Sequence, residues 1–113
     1  MVQNRNKLID LFIGNAANSI VHKVLEIAIE NSEIANKYNK ELITSRDLAK
    51  KYREKINPKD SPLIERDIEY IKSRIINKIR AELLLRISNG YKNINLNLID
   101  GFVDNFLKEM KIN

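Results

Sequence analysis

Seven basic side chains crowd one window of the chain: Arg46, Lys50, Lys51, Arg53, Lys55, Lys59 and Arg66, against the acids Asp47, Glu54, Asp60 and Glu65. Guanidinium and ammonium groups at this density pair with phosphate oxygens and release counterions from a nucleic-acid backbone. Helical spacing puts Arg46, Lys50 and Arg53 together on an outer side. A second constellation is Tyr70, Arg74, Asn77 and Ala81, which share one side of a helix. A tyrosine beside an arginine can hold an unpaired base by stacking, and such a pair also borders protein interfaces. His22, Glu26 and Glu30 have the spacing of metal ligands or of an acid and base on one helix face. They are expected on a solvated face opposite an apolar stripe, where nothing excludes water and no cleft forms. Lys78, Glu82 and Arg86 read as an intrahelical charge ladder worth ~0.2–0.5 kcal/mol per pair.

Other chemistries find no support. There is no Cys, which rules out disulfides and thiolate nucleophiles, and a single His makes an ordinary zinc site unexpected. No glycine-rich phosphate loop, nucleophile elbow or spaced carboxylate pair occurs. A non-enzymatic protein without metal or cofactor is therefore expected. The 20 basic residues against 15 acidic ones leave a net charge of +5, a mild excess compatible with nucleic acid as partner. The start of the chain is too short and too interrupted by Asp10 for a signal peptide, and no stretch approaches the ~20 apolar residues of a membrane span. The cytoplasm is the default compartment.

With 113 residues, 43% of them hydrophobic, and only three Gly and two Pro, one all-α domain is expected. Its organising element is a long helix over about 62–89. Asp60-Ser61-Pro62 supplies an N-terminal cap with proline at the first helical position, and Asn89-Gly90 supplies a left-handed stop. Ile64, Ile68, Ile71, Ile75, Ile79, Leu83 and Ile87 make one stripe along it. Leu83-Leu84-Leu85 widens that stripe enough to require enclosure on all sides.

The remaining helices lie around this one. Residues 4–13 give a short helix, broken at Gly14-Asn15, and a second runs from about 15–18 to Tyr38. Its inner face carries Ala17, Ile20, Val21, Val24, Ala28 and Ala35. Asn39-Lys40-Glu41 is expected to turn. Thr44 then caps a third helix over 45–56, with Asp47 answering in a capping box and Ile43 stapled to Leu48. Tyr91 to Leu98 alternates polar and apolar residues and is expected as an extended loop. Asn97 opens a last helix to about Lys111, with Ile99, Phe102, Val103, Phe106, Leu107 and Met110 inward. Gly101 is expected to allow a close helix approach.

Ile43-Thr44-Ser45-Arg46-Asp47-Leu48-Ala49, then a turn and Ser61-Pro62-Leu63-Ile64-Glu65-Arg66, resembles the helix-turn-helix of transcription regulators. That resemblance implies Ala49 at a tight crossing and Arg66, Glu65 and Glu69 near a DNA groove. The turn is longer than that motif's and lacks its glycine, and Glu65, Asp67 and Glu69 would face phosphates. Lys40 to Leu48 also looks like the second loop and third helix of histone-fold proteins. Arg74 to Ile79 is faintly similar to helices of GINS replication-complex subunits. Two functions follow as expectations. The first is a basic helical homodimer that binds nucleic acid, DNA in preference to RNA, through the seven cations named above. The second is a helical adaptor that meets a protein partner alone.

Overall fold

A computed structural model describes residues 5–56 and 63–112. Four helices make the fold: α1 (Arg5–Ala28), α2 (Ser32–Ile56), α3 (Glu65–Ser88) and α4 (Ile99–Glu109), the last preceded by a 3-10 turn at Leu96–Leu98. A helix of 24 residues spans ~36 Å. The molecule measures 41 × 24 × 23 Å, so the three long helices lie side by side and α4 fills the remaining flank. The all-α bundle expected from composition is the fold observed. Lys59 and the Asp60-Ser61-Pro62 cap fall outside the described residues.

The hub is α1, which packs against each of the other three helices, whereas α2 packs chiefly on α1. Half of α1 is buried, from Leu8, Ile9, Phe12 and Ile13 through to Val24 and Leu25. The expected break at Gly14-Asn15 does not occur. A glycine costs ~1 kcal/mol in a helix interior, far less than the burial of ten apolar side chains returns. Asn15 also turns its amide back onto the Leu11 carbonyl, at 2.9 Å, without interrupting the helix.

The chain breaks instead at 29–31. Asn31 accepts hydrogen bonds from the backbone N–H groups of Glu33 and Ile34, at 3.0 and 3.2 Å, and so caps α2. The expected turn at Asn39-Lys40-Glu41 lies inside α2. Thr44 does not cap; its hydroxyl donates to the Lys40 carbonyl one turn back. Ile43 and Leu48, the expected staple, are both exposed.

Helices α1 and α2 run antiparallel along a seam with much polar character. Asn18 donates to the Ser45 hydroxyl at 2.5 Å, Ser19 to the Leu42 carbonyl at 3.2 Å, and Asn39 to Glu26 at 3.1 Å. His22, expected on a solvated face, is buried in this seam. Its Nδ1 donates to the Asn18 carbonyl, its Nε2 pairs with Glu41, and its ring lies 5.6 Å from that of Tyr38. Ala49 is fully buried, and the crossing it serves is with α1, not α3.

Helix α3 runs parallel to α1: Arg5 bridges to Asp67 at 2.6 Å near the start of both, and Gly14, Ala17 and Val21 face Lys78 and Glu82 across a shared groove. Ile71, Ile75, Ile79 and Leu83, one every fourth residue, are fully buried. The expected stripe is thus real in its central half. Ile64 and Ile87 at its ends are exposed, and so are Leu84 (48%) and Leu85 (56%), which the expected enclosure does not reach. The helix stops where expected. Gly90 takes φ +101°, with its N–H on the Ile87 carbonyl and that of Tyr91 on Arg86, a Schellman closure that a left-handed glycine makes easy.

Residues 91–95 form the expected loop, though not an extended one throughout: Asn93 takes the left-handed region at φ +67°. Asn95, not Asn97, then caps the 3-10 turn by accepting from the Asn97 N–H at 3.0 Å. In α4, Ile99, Val103, Phe106 and Leu107 are buried, and Phe106 lies 6.3 Å from Phe12. Gly101 has nothing within 4 Å of where a Cβ would stand, so it provides no close approach.

Candidate nucleic-acid interface

Of the seven cations expected to bind phosphate, the six among the described residues do not form one surface. Lys50, Lys51 and Lys55 are exposed on α2. Successive helical residues point ~100° apart, so Lys50 and Lys51 face different directions, with Asp47 and Glu54 interleaved. Arg46 pairs with Glu109 at the end of α4. Arg53, expected on the outer side, is only 3% exposed. Its Nε and Nη2 donate to the carbonyls of Met110 and Lys111, at 3.1 and 3.0 Å. A guanidinium suits that place, because the last carbonyls of a helix lack intrahelical donors and carry its negative pole. Two of the seven therefore reach across to α4. Arg66 is exposed on the first turn of α3.

The helix-turn-helix likeness fares no better locally. Its would-be first helix, Ile43 to Ile56, is the second half of the 25-residue α2, and the histone-like loop lies inside the same helix. The carboxylates early in α3 divide. Asp67 is turned to Arg5, while Glu65 and Glu69 remain exposed.

A more coherent basic surface lies further along α3. Between Tyr70 and Ser88 stand Lys72, Arg74, Lys78, Arg80 and Arg86 against a single acid, Glu82. Glu82 pairs with Arg86 one turn on, at 3.2 Å, as the expected ladder had it. Lys72 pairs with Asp104 at 2.9 Å, and that hydrogen bond and carboxylate charge hold its ammonium above the usual lysine range. Arg66, Arg74, Lys78 and Arg80 form no ion pair with a described residue.

Comparisons with protein-family models, curated proteins and solved structures find no match. What the surface can do follows from its geometry.

Opposite the buried stripe, Arg66, Tyr70, Arg74, Asn77 and Ala81 form a row, with Arg80 to one side and Lys78 to the other. Tyr70 is 46% exposed, and the Arg74 guanidinium carbon lies 5.9 Å from its ring centroid. At an exposed site such a cation–π contact is worth ~0.5–1 kcal/mol, enough to bias the ring's orientation. Beside the row a shallow depression is lined by Glu69, Lys72, Ser73, Ile76 and Asn77. The residue pattern announced Tyr70, Arg74 and Asn77. It did not announce Arg66 and Arg80 as their neighbours, because their shared face emerges only when charge is counted around the helix rather than along it.

Proposed function

We propose that the chain is a non-enzymatic helical protein that binds nucleic acid through the outward face of α3, with Arg66, Arg74, Lys78 and Arg80 on phosphates. The observation that carries this reading is the charge of that face: Arg66, Arg74, Lys78 and Arg80 are exposed on it or at its edges, and none forms an ion pair with a described residue. Lys50, Lys51 and Lys55 on α2 add long-range attraction. Arg53 and Arg46, occupied at α4, contribute no contact. The test is a salt titration of binding. Four phosphate contacts give a slope near −3 in log affinity against log salt, so a fourfold rise in salt weakens binding roughly fiftyfold. Binding that is absent, or indifferent to salt, sinks the proposal.

A second reading, association with a helical partner and first of all a second copy, is favoured by the exposure of Leu84, Leu85 and Ile87 in the last turns of α3. A stable interface there needs at least ~1,000 Å² in total. Sedimentation that finds a monomer at high micromolar concentration rejects it.

A further inference from the structure

We infer that the α3 face selects a single strand over a duplex, with Tyr70 stacked on one unpaired base and Arg66 and Arg74 on the phosphates to either side. This rests on the nucleic-acid reading above and goes further by naming the form of the ligand. The three residues stand four apart, so each is ~6 Å from the next along the helix axis. An aromatic face with a cation on each side matches a nucleotide, whose base lies between two backbone phosphates.

Tyr70 gives the discrimination. A duplex hides its base faces by stacking them on each other, so an exposed ring in the middle of a basic row meets nothing it can use there. A single strand offers those faces freely. Ser73 and Asn77 line the depression beside the row and can each donate to and accept from a base edge. Ile76, half-buried, floors the adjoining depression with apolar surface for the base. The carboxylates on this part of α3 argue in the same direction. Groove reading by a helix uses its N-terminal residues, and here Glu65 and Glu69 are exposed and would oppose the closely spaced phosphates of a duplex. A flexible single strand can keep its phosphates along the Arg66–Arg74 row and turn only an uncharged base toward Glu69, which lines the depression.

The experiment uses the full chain and fluorescently labelled strands of one mixed sequence, single and annealed, in DNA and in RNA, read by anisotropy. The expected result is tighter binding of the single strand. Tyr70→Ala should weaken it about tenfold and leave the residual duplex affinity unchanged, while Tyr70→Phe stays close to the parent. Tyr70 is exposed, so circular dichroism should give the same helix content for all three proteins. Equal or tighter binding of the duplex, or a single strand indifferent to Tyr70→Ala, overturns the inference while salt-dependent binding leaves the broader proposal standing. Absence of binding to every strand overturns both.

Discussion

Replacing Arg53 by Met keeps most of the buried stem and removes two hydrogen bonds between α2 and the end of α4. Those bonds, at 3.1 and 3.0 Å to the Met110 and Lys111 carbonyls, are charge-assisted, the first buried and the second partly so. Bonds of this kind contribute ~1.5–3 kcal/mol each, and a carbonyl left buried without a donor costs a comparable amount. Because the two share one side chain they do not add in full, and about 3 kcal/mol is the expected loss. They also hold Lys111, a non-glycine residue at φ +58°, where the Ile112 N–H reaches the Leu107 carbonyl at 2.8 Å. At the usual unfolding entropy per residue, a chain of this length loses about 12 °C in melting temperature, measured by far-ultraviolet circular dichroism. Arg53→Lys, which keeps the charge and loses the planar fork, should fall between. Nucleic-acid affinity measured well below the transition should be unchanged. A melting temperature within about 2 °C of the parent, coupled to lost binding, would refute the assignment of Arg53 to the scaffold and return it to the phosphate-binding set.

Two further outcomes are expected. Gly14 sits exposed inside α1 with no atom within 4 Å of where a Cβ would stand, so Gly14→Ala should add ~0.5–1 kcal/mol, seen as a rise of about 3 °C in the same melt. Burial, then a hydrogen bond with Tyr91, raises Tyr38 above its ordinary value near 10, so the fold favours the neutral phenol. That contribution is complete below about pH 10 and is lost as pH climbs through the raised value, so denaturant midpoints should fall in that alkaline range and fall less for Tyr38→Phe.

What the sequence made legible, and what it concealed, divides along physical lines. The central stripe of α3 could be read because Ile71, Ile75, Ile79 and Leu83 bury apolar groups at helical period, and Asn89-Gly90 because only a left-handed residue closes a helix that way. The apolar face of α4 was equally plain. The α1–α2 hairpin was misdivided because its seam is partly polar. Ser19, His22 and Ser45 face inward with Asn18 at the seam's edge, and a polar residue at an interface looks like one at a surface until its partner is known. Asn31 followed by Glu33 was a cap signal in plain view, hidden behind the apparently stronger breaks at Gly14 and Asn39. The candidate site was half visible. Tyr70, Arg74 and Asn77 share a helical side by spacing alone. Whether a cation is free depends on groups remote in sequence, however. Arg46 and Arg53 find theirs in Glu109, Met110 and Lys111, which no window around residue 50 contains.

The polar seam between α1 and α2 also fixes alignment. A purely aliphatic pair of helices can slide by a turn and exchange one set of greasy contacts for another at little cost. Here a slide of one turn would part Ser19 from Leu42, His22 from Glu41 and Ser45 from Asn18, leaving two buried hydroxyls and a buried imidazole nitrogen unanswered at ~1–3 kcal/mol apiece. The hairpin is thereby keyed to a single offset. Since α3 and α4 both rest on α1, that offset decides where the arginine–tyrosine face lies relative to the lysines of α2.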